Sequence, residues 1–393
     1  MARGPIESAG GAKIYSTEES YELAESVVKD APVGTKVASL PTTKITATFD
    51  VAVPSAAYRA EFNEPKGLLS VGINAAPYLH IYTVDGTSFT KQADPAVAFL
   101  SRIHKWSPNG EYLAVGGGAS CINIYKFVDG VLTKLADPAV LPTASPTAIA
   151  WSGDSKYLMV TTNTSPFMVV YERSGDTFSN LANPADTNSS ASCTVDPTGT
   201  YFVLGQNSAS SYFRVYKREG TTLTKIYETT STYAFLWIEF SPSGRHIAVA
   251  YDAPGGGIRM FKRVGDVFSN MSLSLSHGEM VRSMRFSPDN NIVAYAPSDM
   301  SRLYLSKRDG DVFGTAVNAL LSTSAYAQGF AIRADLSMIV AASAESPYVH
   351  VLTGGSVKLY NAPEISGFRK IGVAKEDGSI GEVKKMIVLA DDY

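Results

Sequence analysis

Seven times along this chain an apolar residue is followed by a turn signal and then by an apolar, β-rich run. The best copies are Trp106-Ser107-Pro108-Asn109-Gly110 before Tyr112-Leu113-Ala114-Val115, and Phe240-Ser241-Pro242-Ser243-Gly244 before His246-Ile247-Ala248-Val249. Phe286-Ser287-Pro288-Asp289-Asn290 before Ile292-Val293-Ala294-Tyr295 is a third, and weaker copies begin at Phe62, Trp151, Val195 and Ile332. Successive anchors stand 44, 45, 44, 45, 46 and 46 residues apart. A second marker keeps the same period. Gly86, Gly130, Gly175, Gly220, Gly265, Gly310 and Gly355 each follow an apolar run and precede a shorter one, spaced by 44 once and by 45 five times. Two unrelated markers with one period define a repeat, and a period of this length settles the architecture before any other feature does.

The chemistry of the markers says what each repeat contains. Ser-Pro-Asn-Gly suits a type I turn: Ser at the first position, Pro pre-setting φ at the second, Gly at the fourth. Asp85-Gly86, Asp129-Gly130 and Asp309-Gly310 suit tight hairpins. Between the turns lie short β-branched and aromatic runs such as Ile122-Asn123-Ile124-Tyr125 and Met168-Val169-Val170-Tyr171, as strands require. Helical periodicity is missing from the repeat region, which excludes a helical solenoid. Four short antiparallel strands per repeat is the signature of a propeller blade. The fold expected is therefore all-β: a seven-bladed β-propeller, in which a ring lets every blade cover its neighbours' apolar faces.

Residues 41–363 hold the ring. Residues 1–40 read as an N-terminal arm, in which Thr17–Lys29 could form one short helix capped by Ser16 or Thr17. Two strands compete to close the ring, or are both used in an augmented last blade: Lys44-Ile45-Thr46-Ala47-Thr48-Phe49 and Val357-Lys358-Leu359-Tyr360. Residues 364–393 read as a C-terminal β-hairpin extension, with runs at 368–374 and 383–390 separated by Glu376-Asp377-Gly378-Ser379. Two strands alone are marginal. Ile371, Val373, Ile387 and Leu389 are therefore the candidate attachment residues, on an apolar edge that invites a partner.

The Phe-Ser-Pro-Asp turn and its four-stranded unit resemble the WD-repeat-like propellers, over roughly residues 56–362. The resemblance implies the seven-bladed ring. It does not extend to the Gly-His and Trp-Asp pairs of eukaryotic WD repeats, because Tyr82, Tyr125, Tyr171, Tyr216 and Phe261 stand at the end of the third strand instead. The polar network of a WD blade is thus not readable here.

Composition narrows the function. The net charge of −3 provides no basic footprint for nucleic acid. No run of 18 apolar residues spans a membrane, and the N-terminus lacks the apolar stretch of a secretory signal. Two cysteines, Cys121 and Cys193, do not make a disulfide framework or a zinc site; both read as buried thiols. There is no nucleophile elbow, P-loop, H-E-x-x-H or EF-hand loop. No catalytic residue, metal ligand or cofactor is assigned, and the chain reads as a non-enzyme.

Five features of the chain are candidates for chemistry. His80 and His350 occupy equivalent strands of blades 1 and 7, neighbours in the closed ring; they read either as a metal pair or, more simply, as equivalent repeat positions. Gly116-Gly117-Gly118 and Gly255-Gly256-Gly257 precede no helix, so they read as flexible hairpin loops rather than phosphate cradles. Asn163-Thr164-Ser165 is a glycosylation triplet that matters only under secretion. Tyr233, Phe235 and Trp237 read either as an aromatic patch at a channel mouth or as inter-blade packing. The position before each anchor carries Glu61, Lys105, Ala150, Thr194, Glu239, Arg285 and Ala331. These would line the central channel, with Glu61, Lys105, Glu239 and Arg285 forming either an ion-binding ring or mutual charge pairs.

Richness in Ala, Ser, Thr and Gly, few cysteines, a polar arm and a detached hairpin make the chain similar to propeller proteins of bacteriophage particles. That likeness implies a structural component of a tail or capsid, assembled in the bacterial cytoplasm and located in the virion. Its partners would be other virion proteins or copies of itself, with a host-surface ligand as a further candidate. The rival readings are a cytoplasmic scaffold and a ligand- or carbohydrate-binding or hydrolytic propeller.

Overall fold

In the computed structural model, the described residues are 53–353 except 98, 119–121, 185–188, 207–210, 253–256, 276–279, 298–301, 310, 315–316, 321–326, 335–337, 345 and 347, together with the backbone of the strands Ile6–Glu7, Lys13–Ile14, Thr46–Asp50, Phe368–Lys370 and Val388–Ala390. Seven antiparallel sheets follow one another along the chain. Blade 1 is Ala57–Asn63, Leu68–Ile73, Leu79–Asp85 and Ser88–Lys91; blade 2 is Ile103–Trp106, Tyr112–Gly116, Ile122–Val128 and Val131–Lys134. Blades 3 and 4 begin at Pro146–Trp151 and Ser190–Val195, blades 5 and 6 at Phe235–Phe240 and Val281–Phe286. Blade 7 is Ala327–Ile332, Met338–Ser343 and Val349–Thr353, and its outermost strand is Thr46–Asp50. First strands contact the first strands of both neighbours, and blade 7 contacts blade 1, so the ring is closed. The only helical element among the described residues is a 3-10 turn at Glu64–Lys66.

The closing strand comes from the N-terminal side. Thr46 pairs with Thr353, Ala47 with Leu352, Phe49 with Val351 and Asp50 with His350. The competing run Val357–Tyr360 lies outside the described residues, as do the expected helix at 17–29 and the hairpin turn at 376–379.

The recurring turn works through hydrogen bonds. Gly110 N–H donates to Ser107 O at 2.8 Å, Gly244 to Ser241 O at 2.8 Å and Asn290 to Ser287 O at 2.9 Å. The serine hydroxyl accepts from the next strand, as Tyr112 N–H to Ser107 Oγ at 2.9 Å shows. The fourth turn position is left-handed in each case: φ is 74° at Gly110, 67° at Gly199 and Gly244, 59° at Ser155 and 62° at Asn290. Glycine adopts that region freely, and serine and asparagine tolerate it at some cost.

The core lies between blades rather than within one. Leu158 and Val160 join a cluster with Tyr112 and Ile124 of blade 2. Tyr157 and Met159, alternate residues of the same strand, join one with Phe202 and Leu204 of blade 4. Because each blade is covered on both faces, its second strand is buried almost throughout instead of alternating; all six residues of Tyr157–Thr162 are buried. Burying one Val or Leu in this way contributes roughly 1.5–3 kcal/mol.

By compactness the chain divides into the ring unit Thr42–Val357 and a second unit of Met1–Pro41 with Lys358–Tyr393. In the second unit Ile6 pairs with Ile14, and Phe368–Lys370 pairs antiparallel with Val388–Ala390, Arg369 opposite Leu389. Ile371, Val373 and Ile387 lie outside the described residues.

Candidate functional site

The first strands of all seven blades enclose a central cavity of about 730 Å³. Glu61, Lys105, Ala150, Thr194, Glu239, Arg285 and Ala331 all line it. Lys105 Nζ meets Glu61 Oε1 at 2.5 Å. Arg285 turns away from that pair: Nη1 donates to Ile332 O at 2.9 Å, and Nη2 stands 3.6 Å from Glu64 Oε1. Glu64 is held as well by Ala334 N–H at 2.7 Å and faces Arg333 at 3.7 Å. Glu239 accepts from Trp237 Nε1 at 3.3 Å.

Two further cations reach the cavity. Arg59 stands two residues before Glu61 on the same face, and its guanidinium lies 4.4 Å over the Trp237 ring. Arg282 arrives through a backbone irregularity. Six of the seven first strands shift register near their start, between Ala57/Arg59, Pro146/Ala148, Ser190/Ser192, Phe235/Trp237, Val281/Ser283 and Ala327/Gly329. A bulge inserts one residue and re-aims its side chain. Thr147, Ala191, Leu236, Arg282 and Gln328 line the cavity from these inserted positions, which strict alternation would send elsewhere.

The two acids respond oppositely to one environment. Burial pushes both carboxyls up. At Glu61 the contrary pull of Lys105, reinforced by Arg59 and Arg285, wins, and its pKa falls below the ordinary value. At Glu239 burial wins and the pKa rises, with the more distant Lys105 and Arg285 only partly compensating. Behind the wall, burial lowers the His104 pKa to about 4. Its Nδ1 faces Ser101 Oγ at 3.3 Å, and both residues are fully buried. That pair resembles a nucleophile and base in composition only, since nothing from solvent reaches it.

A second constellation ties neighbouring blades together at their outer strands. Tyr112 of blade 2 donates its hydroxyl to Asp176 of blade 3 at 2.7 Å, and Lys126 reaches the same carboxylate at 2.8 Å. Arg173 lies 4.7 Å over the Tyr112 ring while its Nε donates to Ser155 O at 2.8 Å. The set recurs as Tyr201, Asp266, Lys217 and Arg263 between blades 4 and 5. Between blades 5 and 6 it recurs as His246, Asp311 and Lys262. The latch joins each of these blades to the next one through a single aspartate. Its signal, Arg-x-Gly-Asp at residues 173–176, 263–266 and 308–311, is present in the sequence but hidden among ordinary hairpin residues.

The remaining candidates resolve as follows. Cys193 is a free, buried thiol whose pKa burial raises to about 12; Cys121 lies outside the described residues. His80 Nδ1 lies 2.7 Å from Asp94 Oδ1. Among the described residues no group of three His, Cys, Asp or Glu could hold a metal. Tyr233, Phe235 and Trp237 do not form one patch: Phe235 is fully buried, Tyr233 is exposed, and Trp237 lines the cavity. Gly117 is no flexible loop residue either. A Cβ there would stand 1.8 Å from Leu100 O, so the glycine permits close backbone approach.

No protein-family profile matches the chain, and no curated protein matches it in sequence. Solved structures do match in shape. A chain of Kuenenia stuttgartiensis hydrazine synthase aligns with a TM-score of 0.60 at 12% identity, covering 78% of this chain and 98% of that one. A chain of the mitotic checkpoint complex gives 0.60 at 13%, covering 82% and 96%. The β-propeller domain of Cps50 (Swd1) from Myceliophteria thermophila gives 0.60 at 13%, covering 79% and 99%. Likeness at this identity speaks to fold alone: the ring is a seven-bladed β-propeller.

Proposed function

We propose that this chain is a non-enzymatic structural and interaction propeller, a tail or capsid-associated component of a bacteriophage particle, joined to its partners through its terminal segments. One observation carries the reading. The ring is completed by Thr46–Asp50 within the unit Thr42–Val357, so residues 1–41 and 358–393 are surplus to the seven blades and form a unit of their own. Tyr112 and Tyr201 are engaged with aspartates of the next blade, and Lys105 is paired with Glu61. Membership of a like-shaped chain in the mitotic checkpoint complex fits a ring that works among protein partners. The phage assignment rests on composition and on the terminal segments. Quantitative mass spectrometry of purified virions against host lysate tests it. Enrichment in particles at a fixed ratio to the major structural proteins is expected; recovery from the lysate alone overturns the virion assignment.

A further inference from the structure

We infer that the central channel binds a small soluble oxyanion, a compound bearing carboxylate or phosphate groups, with Arg59 as its principal ligand. This is independent of the terminal segments and of any virion. It begins with a donor that has nothing to bond. Arg59 Nε is buried without a hydrogen-bond partner among the described residues. A buried charged donor left unmet is costly, and such groups are normally satisfied by protein, water or ligand.

The surroundings show why no protein acid satisfies it. Glu61 is taken by Lys105 at 2.5 Å. Glu64 is taken by Arg285, Arg333 and the Ala334 amide. Glu239 accepts from Trp237, the ring on which Arg59 lies. The cavity wall thus carries Arg59, Lys105, Arg282 and Arg285 against Glu61, Glu64 and Glu239, one cation in excess. Arg282 is exposed to solvent, which leaves Arg59 as the enclosed cation without an ion pair among the described residues. A channel with low-dielectric walls concentrates such a field on an entering anion.

The backbone also makes room for this arrangement. A Cβ at Gly329 would stand 3.0 Å from Tyr58 O and 3.3 Å from Arg59 Cδ, so glycine in blade 7 leaves space for the Arg59 stem. The guanidinium packs over the Trp237 indole, 4.4 Å from its centroid. A guanidinium so held presents two N–H groups in a fork that matches carboxylate or phosphate. The volume, about 730 Å³, lies within the ordinary range for small-molecule sites.

The test uses the full chain at low ionic strength and pH 7. Calorimetric titration with inorganic phosphate and, separately, with citrate distinguishes the two oxyanion types. At least one should bind saturably at millimolar concentration and weaken as salt rises. Arg59→Gln should lose about tenfold or more in affinity, since the charge and the fork both go. Glu239→Gln keeps an acceptor for Trp237 while removing a negative charge, and should bind several-fold tighter. This second variant decides the matter even if Arg59→Gln fails to fold. The inference is overturned if neither anion binds the wild-type chain, if folded Arg59→Gln binds as well as wild type, or if Glu239→Gln binds no tighter.

Discussion

His104 shows how one buried side chain sets an acid limit on the whole ring. It is fully buried, with Nδ1 near Ser101 Oγ and Nε2 near Ser70 O, at 3.3 and 3.4 Å. Burial holds its pKa down at about 4; Glu61 pulls upward, while Arg59 and Lys105 push the same way as burial. Unfolded, the imidazole returns to about 6.5. Between these values the unfolded chain binds the extra proton and the folded chain does not. Stability therefore rises with pH across that window, is fully present above about 6.5, and is lost on acidification toward 4. The difference approaches roughly 2–3 kcal/mol by pH 4.5. Urea midpoints of wild type and His104→Gln at pH 7 and pH 4.5 should show a markedly smaller acid loss in the variant. Equal losses would assign the acid sensitivity to other groups. In the sequence His104 looked like one of five scattered histidines, because burial depends on the packing of Gly72 and Ser101 against it.

At the scale of strands and turns, the latch between blades varies in an instructive way. Blade 4 carries Gly220-Thr221 where its neighbours carry Gly-Asp, and blade 3 carries Glu172 where blades 2, 4 and 5 carry Lys126, Lys217 and Lys262. The two departures compensate. With no aspartate arriving from blade 4, the Tyr157 hydroxyl donates to Glu172 of its own blade at 3.1 Å, while Arg218 still lies 4.3 Å over its ring. Thr221→Asp alone should destabilise, because the new carboxylate faces Glu172. Glu172→Lys with Thr221→Asp should restore the pattern of the other junctions. A double-mutant cycle by urea denaturation should give a favourable coupling near 0.5 kcal/mol, at the low end of the usual range because the groups are largely solvent-exposed. Zero or unfavourable coupling would show that the junctions are not equivalent. Turns and strands were readable because Pro, Gly and β-branched residues impose local geometry that any context preserves. The latch was not, since its partners across blades are 49 to 65 residues apart and each looks like a solvated surface charge. Arg59 was within reach, two residues before Glu61 on an alternating strand. Arg282 was out of reach, because a bulge breaks the alternation that would have located it.

For the whole molecule, the question left open by the repeat was which strand completes the circle, since two runs of suitable composition flank it. A residue before blade 1 and one from blade 7 must meet across about three hundred positions, and nothing local in either strand announces that. The pairing of Thr46 with Thr353 and Asp50 with His350 gives the role to the N-terminal strand. The consequence is mechanical. Blade 7 becomes a four-stranded sheet built from both ends of the ring, so opening the circle requires breaking this ladder. Without it, Val349–Thr353 would be an open edge carrying unpaired backbone groups, a template for association with other chains. A chain of residues 42–357 should therefore fold as a monomer by light scattering, with one cooperative urea transition. A chain of residues 53–357 lacks only the closing strand and its flank, and should unfold at lower urea and associate on the column. Failure of the longer chain to fold would make the terminal segments part of the ring, contrary to the division of labour proposed for them. Equal stability of the two chains would show that seven blades hold the circle by face packing alone and that the closing strand is dispensable.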